Sequence, residues 1–467
     1  MSLIALPDNS PLVTLRLTFH IGAACDPPGK PGTCWMTALM MAGAGSRRME
    51  YKRILEATFP MASGVASIVD KEMTTFAGET HRDNLEAFYA IFRDMLVDPG
   101  WRETDFTRLR DEAINGLAVG LRGENDEELG KEVLYQEIYA DHPYGWQNAG
   151  TVSSLRKLTV GDVREFYQRF QRARVTIGVA GGFPEEFVRE IEKDFSRPPV
   201  PADDGIPPAP PVVDSTAIFV EKPARGVAIS FGFPIEVRRG DPDYLPLLVA
   251  TSALGQHRMS SGRLFTRMRQ LRGLNYGDYA YIEHFPGGMF TLEPLPNVAR
   301  SRQVFQIWIR PVEPEAAHFA LRLALFELNR LVSEGLEAEE FERTRSFLSK
   351  HVNLLVSSKA AELGYAIDSS WYGIGSYPSY VREGLATLSR EDVTAAVRRH
   401  LAGPPIRYAI VAQDAARLRD QILAGALSPM TYNSPKPAEI LAEDELVATS
   451  PVTLGTARIV PVEEVFA

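Results

Sequence analysis

Residues 158–170 read LTVGDVREFYQRF and run on to RVTIGVAGG at 174–182; residues 388–401 read LSREDVTAAVRRHL and run on to IRYAIVAQD at 406–414. Each stretch opens on Thr or Ser with an acidic residue three places later, Thr159 with Asp162 and Ser389 with Asp392. That is the pattern of a capping box at a helix start. Each helix then feeds an apolar, β-branched run of strand length, as a buried strand requires. The same order of parts thus occurs twice, about 230 residues apart.

Two further pairs keep a similar offset: DFTRLRDEAINGL (105–117) with EFERTRSFLSKHV (340–352), and the alternating strands LVTLRLTFHIG and GVAISFGFPI. The expectation is an α+β chain of two duplicated units, each a mostly antiparallel sheet packed with helices. The alternative is two unrelated domains that share helix-cap chemistry. Between the halves lies RPPVPADDGIPPAPPVVDS, whose prolines suit neither a helix nor a central strand. The boundaries follow: an N-terminal unit at 1–196, a Pro-rich linker at 197–215 acting as a hinge, a C-terminal unit at 216–435, and an extended acidic tail at 436–467.

Composition narrows the function. With 50 Lys+Arg against 60 Asp+Glu, the net charge is −10 and no basic block stands out. Nucleic acid, which is bound through clustered cations, is therefore not an expected partner. No apolar run has the length of a membrane span. The start MSLIALPDNS lacks the basic and apolar regions of a signal peptide. The compartment stays open: cytoplasmic as written, periplasmic if an export signal has been trimmed. Cys25 and Cys34 are the two cysteines, and spacing alone does not decide whether they pair. No two of the eight histidines lie closer than 27 residues, so no helix can present two imidazoles one turn apart. His20 with Cys25 and Cys34 matches no zinc spacing. The chain also lacks a phosphate-binding G-x-x-x-x-G-K-[ST] and a G-x-S-x-G nucleophile turn.

Three fragments of the first half, LTFHIGAACDPPGKPGTCWMTALMMAGAG, HPYGWQNAGTVSSLRKLTVGDVREFY and IGVAGGF, and one of the second, SSGRLFTRMRQLRGLNYGDY, occur in this order. Together they resemble the pitrilysin/insulinase-type zinc metallopeptidases, over nearly the whole chain. The resemblance implies a fold forming half of a clamshell. Active members carry H-x-x-E-H on the helix after the first glycines, with two zinc-binding histidines and a glutamate base. The matching residues here run from Trp35 to Leu39. Trp35 and Leu39 stand where the histidines would be, Ala38 where the base would be, and Gly116 where a later glutamate ligand would be. By this resemblance the chain binds no metal of its own.

The second-half signature L-F-x-x-x-R-x-x-x-G-L-x-Y is intact in residues 264–276. On local evidence Arg269 and Tyr276 read as a helix end and a packed aromatic before they read as a functional pair. The resemblance implies a catalytic role: in active relatives an arginine and a tyrosine from this half hydrogen-bond the scissile carbonyl and its oxyanion. It further implies a zinc-free subunit that supplies both residues in trans to a homologous partner carrying H-x-x-E-H and the zinc, acting on unfolded peptides. The alternative is a catalytically inactive structural or peptide-binding member of the same family.

Overall fold

A computed structural model of the chain describes residues 1–196, 205–256, 260–287 and 294–467. Linker residues 197–204 and His257 therefore lie outside the described residues. Five strands build the first sheet: β1 (Ser2–Pro7), β2 (Leu12–Phe19), β3 (Gly64–Val69), β4 (Thr74–His81) and β5 (Val175–Gly181). Their order is β1-β5-β2-β4-β3, with β1 and β5 parallel and the other neighbours antiparallel. The second sheet uses β6 (Thr216–Glu221), β7 (Val227–Ile235), β8 (Asp278–Tyr281), β9 (Gln303–Val312), β10 (Arg407–Ala412) and β11 (Thr456–Pro461). Its order is β11-β6-β10-β7-β9-β8, with β6 and β10 parallel. Without β11, the second sheet repeats the order and orientations of the first. The paired stretches of sequence fall on equivalent elements, helix Val160–Arg172 with β5 and helix Arg390–Leu401 with β10. Both capping boxes form, with Thr159 N–H donating to Asp162 at 2.9 Å and Ser389 N–H to Asp392 at 3.0 Å.

In β2, Val13, Leu15, Leu17 and Phe19 enter a core with Phe76, Phe166 and Phe170. The alternate residues Thr14 and Thr18 are also buried, which an open antiparallel sheet does not require. The cause is an exchange of helices between the units. Helix Lys359–Tyr372 of the second unit lies across β5, β1 and β2 of the first. Its approach is close enough that a Cβ on Gly178 would stand 3.0 Å from both Leu363 and Ile367. Helix Asp126–Ile138 of the first unit returns the arrangement, packing Leu129, Val133 and Ile138 on Val220, Ala228 and Val411 of the second sheet. Each sheet is thus sealed on its outer face by the other unit.

A buried ion pair pins this contact. Asp70, in the β3–β4 turn, is 1 % exposed and accepts both arms of Arg300, which is 3 % exposed, with the Nε–Oδ2 distance 2.8 Å. Asn148 adds a bond of 3.1 Å to the same carboxylate. Burial alone would raise the Asp70 carboxyl, but the charge and hydrogen bonds of Arg300 outweigh it and hold the group at about 2. This pair binds the two units directly to each other, whereas the expectation gave the linker the part of a hinge between them.

The tail at 436–467 is a second correction, because it is not extended throughout. It forms helix Ala438–Thr449 and strand β11, which adds to the sheet edge beside β6. Ile440 and Val447 are buried, and the acidic residues bind arginines of the second unit: Asp444 pairs with Arg272 at 2.8 Å and Glu443 with Arg267 at 2.9 Å. No disulfide joins Cys25 and Cys34.

Replacing Asp70 by Ala leaves a buried guanidinium unpaired and should lower stability by about 3–5 kcal/mol in urea unfolding at pH 7. Since the native carboxyl lies near 2, below its ordinary 3.8, its stabilisation is complete above about pH 4 and is lost as pH falls toward 2. Wild type and variant should therefore converge in acid. Unfolding of the two units should be one transition.

Candidate functional site

The segment from Gly262 to Asp278 carries four arginines: Arg263, Arg267, Arg269 and Arg272. Three are consumed by carboxylates. Arg263 grips Glu340 with two bonds of 2.8 and 2.7 Å. Arg267 meets Glu327 at 3.0 Å and Glu443 at 2.9 Å. Arg272, 4 % exposed, meets Glu443 at 2.7 Å and Asp444 at 2.8 Å. The Arg269 side chain has no carboxylate and no hydrogen-bond partner among the described residues. Its guanidinium lies between two rings instead, 4.8 Å from the centroid of Phe265 and 4.3 Å from that of Tyr276.

The backbone makes this sandwich. Phe265–Gln270 is a π turn, on which residues four apart share a face, so Phe265 comes under Arg269. Gly273, at φ +71°, then reverses the chain: its N–H donates to Arg269 C=O at 2.9 Å, and Leu274 N–H to Met268 C=O at 3.0 Å. The left-handed conformation suits glycine. Tyr276 follows two residues before β8 and folds back over Arg269. Residues seven apart in sequence are thereby in contact, and Tyr276 is 73 % exposed. Stacking engages only the faces of the guanidinium, so its in-plane N–H groups stay available beside the phenol O–H. Two such donors suit a carboxylate, a carbonyl or a developing oxyanion. Phe265 was present in the sequence pattern, but nothing in a one-dimensional reading indicated a ring beneath the arginine.

A cavity of about 650 Å³ opens beside the same segment, lined by Arg263, Arg267, Glu327, Arg330, Glu340 and Arg343, and includes neither Arg269 nor Tyr276. Its charges largely neutralise one another.

The first-half positions carry no comparable chemistry. Helix Thr33–Gly43 starts at Gly32, φ +91°, where the Asp26 carboxylate accepts the N–H groups of Gly32 at 2.6 Å and Cys34 at 2.7 Å. Burial pushes the Asp26 carboxyl up to about 7. Trp35 and Leu39 sit in an apolar cluster with Met36, Ala113 and Leu117, while Ala38 is fully buried in the core against the first sheet. Gly116 opens the π turn Gly116–Leu121 and faces solvent, with nothing within 4 Å of where a Cβ would stand. Zinc needs lone pairs from nitrogen, sulfur or oxygen, and the side chains at 35, 38, 39 and 116 offer none. These residues do not fit the metal. Among the described residues no group of three or more His, Cys, Asp and Glu is placed to hold a metal ion. His20 bonds Thr176 at 2.9 Å and lies 2.9 Å from Arg174, and so joins neither cysteine as a ligand set. No helix among the described residues is long and apolar enough to cross a membrane.

Comparison with known proteins agrees with the architecture. Residues 157–348 match the family model described as the peptidase M16 inactive domain. An uncharacterized zinc protease of Streptomyces coelicolor is 21 % identical over 341 residues, 71 % of this chain and 69 % of that protein. A crystal structure described as a peptidase M16 inactive domain from Pseudomonas fluorescens superposes with a TM-score of 0.74 at 19 % identity, covering 88 % of this chain and 94 % of that one. A chain of Complex III2 from Candida albicans superposes with a TM-score of 0.69 at 13 % identity, covering 90 % and 96 %. Residues 157–348 thus carry a match to the peptidase M16 inactive domain, and the chain as a whole shares the fold of the M16 inactive-domain structure.

Proposed function

We propose that this chain is the zinc-free member of a two-chain M16 peptidase and supplies Arg269 and Tyr276 in trans to the scissile carbonyl at its partner's site. The observation that carries this reading is the isolation of Arg269 from every carboxylate among the described residues, in a segment whose other arginines are all neutralised. A guanidinium with an acid beside it is already spent. One held by ring stacking next to an exposed phenol is oriented and still able to donate. Preorganised donors stabilise a developing oxyanion because they need not reorganise as charge forms. The partner would bear H-x-x-E-H, hold the zinc and activate the attacking water. It would also bind the unfolded peptide as an added strand, so that side-chain preferences are set mostly there. This chain's residues would hold the carbonyl oxygen and, after attack, the oxyanion.

A second reading is a structural or peptide-binding subunit with no catalytic part. The likeness in fold to a Complex III2 chain favours it.

The test is reconstitution with a chain of similar length that carries H-x-x-E-H and is encoded beside this one, followed by cleavage of a fluorogenic peptide. Arg269→Ala and Tyr276→Phe should each lower turnover by about 10²–10³-fold. A partner as fast alone as in the mixture would remove the proposal and leave the structural reading. Because an exposed cation–ring stack contributes only about 0.5–1 kcal/mol, Arg269→Ala should unfold in urea within about 1 kcal/mol of wild type. Lost turnover is then separable from lost fold.

A further inference from the structure

Tyr276 is exposed, yet the residues on either side of it are tightly held. The Asn275 side-chain amide donates to Asp278 Oδ1 at 2.6 Å and to the main-chain carbonyl of Arg310, on β9, at 3.0 Å. Its carbonyl oxygen accepts the N–H of Gly277 at 3.2 Å. One side chain therefore bonds to both residues that follow Tyr276 and to the neighbouring strand. Gly277 is fitted to the same arrangement, since a Cβ there would stand 2.7 Å from the Tyr279 hydroxyl. Asp278 is 1 % exposed, and its Oδ2 has no hydrogen-bond partner. A buried carboxyl that relies on the Asn275 amide and the Arg310 backbone N–H makes that amide hard to displace.

We propose that Asn275 and Asp278 form a clamp that sets the position of Tyr276 over Arg269, and so act as positioning residues for the pair. In its catalytic consequence this rests on the two-chain reading above; in its structural content it does not. A phenol on a loop can swing, and a displacement of about 1 Å of a group that must meet a reacting atom can cost about 10²-fold in rate.

The clamp is sensitive to protonation. Burial pushes the Asp278 carboxyl up to about 8, against the pull of the Asn275 hydrogen bond. Glu127, on helix Asp126–Ile138, adds to the rise, and Arg310, on β9, opposes it. Arg310 is itself paired with Glu127 at 2.9 Å and interacts with Tyr279. Below about pH 8 the carboxyl is neutral and Oδ2 can hold its proton. Above that pH a buried anion faces Glu127 but accepts the Asn275 N–H more strongly, so the hold on Asn275 tightens.

The test uses the full chain labelled with 3-fluorotyrosine, in which the ¹⁹F line of Tyr276 is the one absent from Tyr276→Phe. In wild type at pH 7 that line should be offset from the position of a free exposed tyrosine by the stack with Arg269. Asn275→Ala should remove the offset. Asp278→Asn, which retains an acceptor oxygen for Asn275 but cannot ionise, should keep it. An unmoved line in folded Asn275→Ala, or loss of the offset in Asp278→Asn, overturns the clamp. Should Asn275→Ala fail to fold, Asn275→Ser, which removes both donated bonds, gives the same reading. In the reconstituted peptidase, Asn275→Ala should lower kcat by up to about 10²-fold with KM little changed. Offset changes as expected in a mixture that cleaves nothing would leave the clamp standing and remove the two-chain reading. Cleavage by Asn275→Ala at the wild-type kcat would overturn the clamp while the two-chain reading survives.

Discussion

The contact between Asp70 and Arg300 ties together everything else in this molecule. It joins a turn of the first sheet to the strand-bearing body of the second, both ends buried and both arms of the guanidinium used. Around it the units trade helices, so that the outer face of each sheet is covered by material from the other half. Neither sheet can expose that face without leaving buried threonines and apolar side chains uncovered. The chain is two repeats in topology and one body in its packing. A segment such as Gly262–Asp278 is consequently carried on a rigid scaffold, as a group meant to present donors to an external reactant requires.

The same accounting of charge separates the arginines of that segment. Guanidinium groups drawn out of water need compensating partners, and the partly buried Arg263 and the buried Arg272 find carboxylates in Glu340, Glu443 and Asp444. Arg269 is held by aromatic rings alone. Stacking is weak beside an ion pair, but it leaves the hydrogen-bonding edge unspent. The contrast between the halves is chemical as well: the helix that would carry a metal presents indole, methyl and isobutyl groups, while the opposite half keeps polar donors in the open.

Local features were legible in the sequence to the extent that they depend on near neighbours. The capping residues Thr159 and Ser389, the paired helix–strand units and the glycine stop at Gly273 all act within a few residues, and each lies where its pattern placed it. The tail was misread for the opposite reason. Glu443 and Asp444 look like solvated acids until Arg272, 171 residues away from Glu443, is brought against them. The site divided in the same way. Arg269 and Tyr276 could be named only through resemblance to a family signature, and Phe265 beneath the guanidinium depends on the pitch of the turn. The bonds around Asn275 depend on a strand more than 30 residues downstream. A polar run such as Gly-Leu-Asn-Tyr-Gly-Asp reads as a loose turn unless the burial of its aspartate is known.

Among the described residues Gly116–Leu121 and Phe265–Gln270 are π turns, and each coincides with a position compared above with a catalytic or ligand residue. A π turn is an α-helix holding one residue too many. Removing a single residue from the second would return it to ordinary pitch and swing everything beyond by about 100° around the helix axis. The guanidinium would then leave its aromatic seat with every side chain chemically intact. Alignment of the donor pair is therefore written in chain length as much as in residue identity, and a one-codon deletion could silence it where most point substitutions nearby would not.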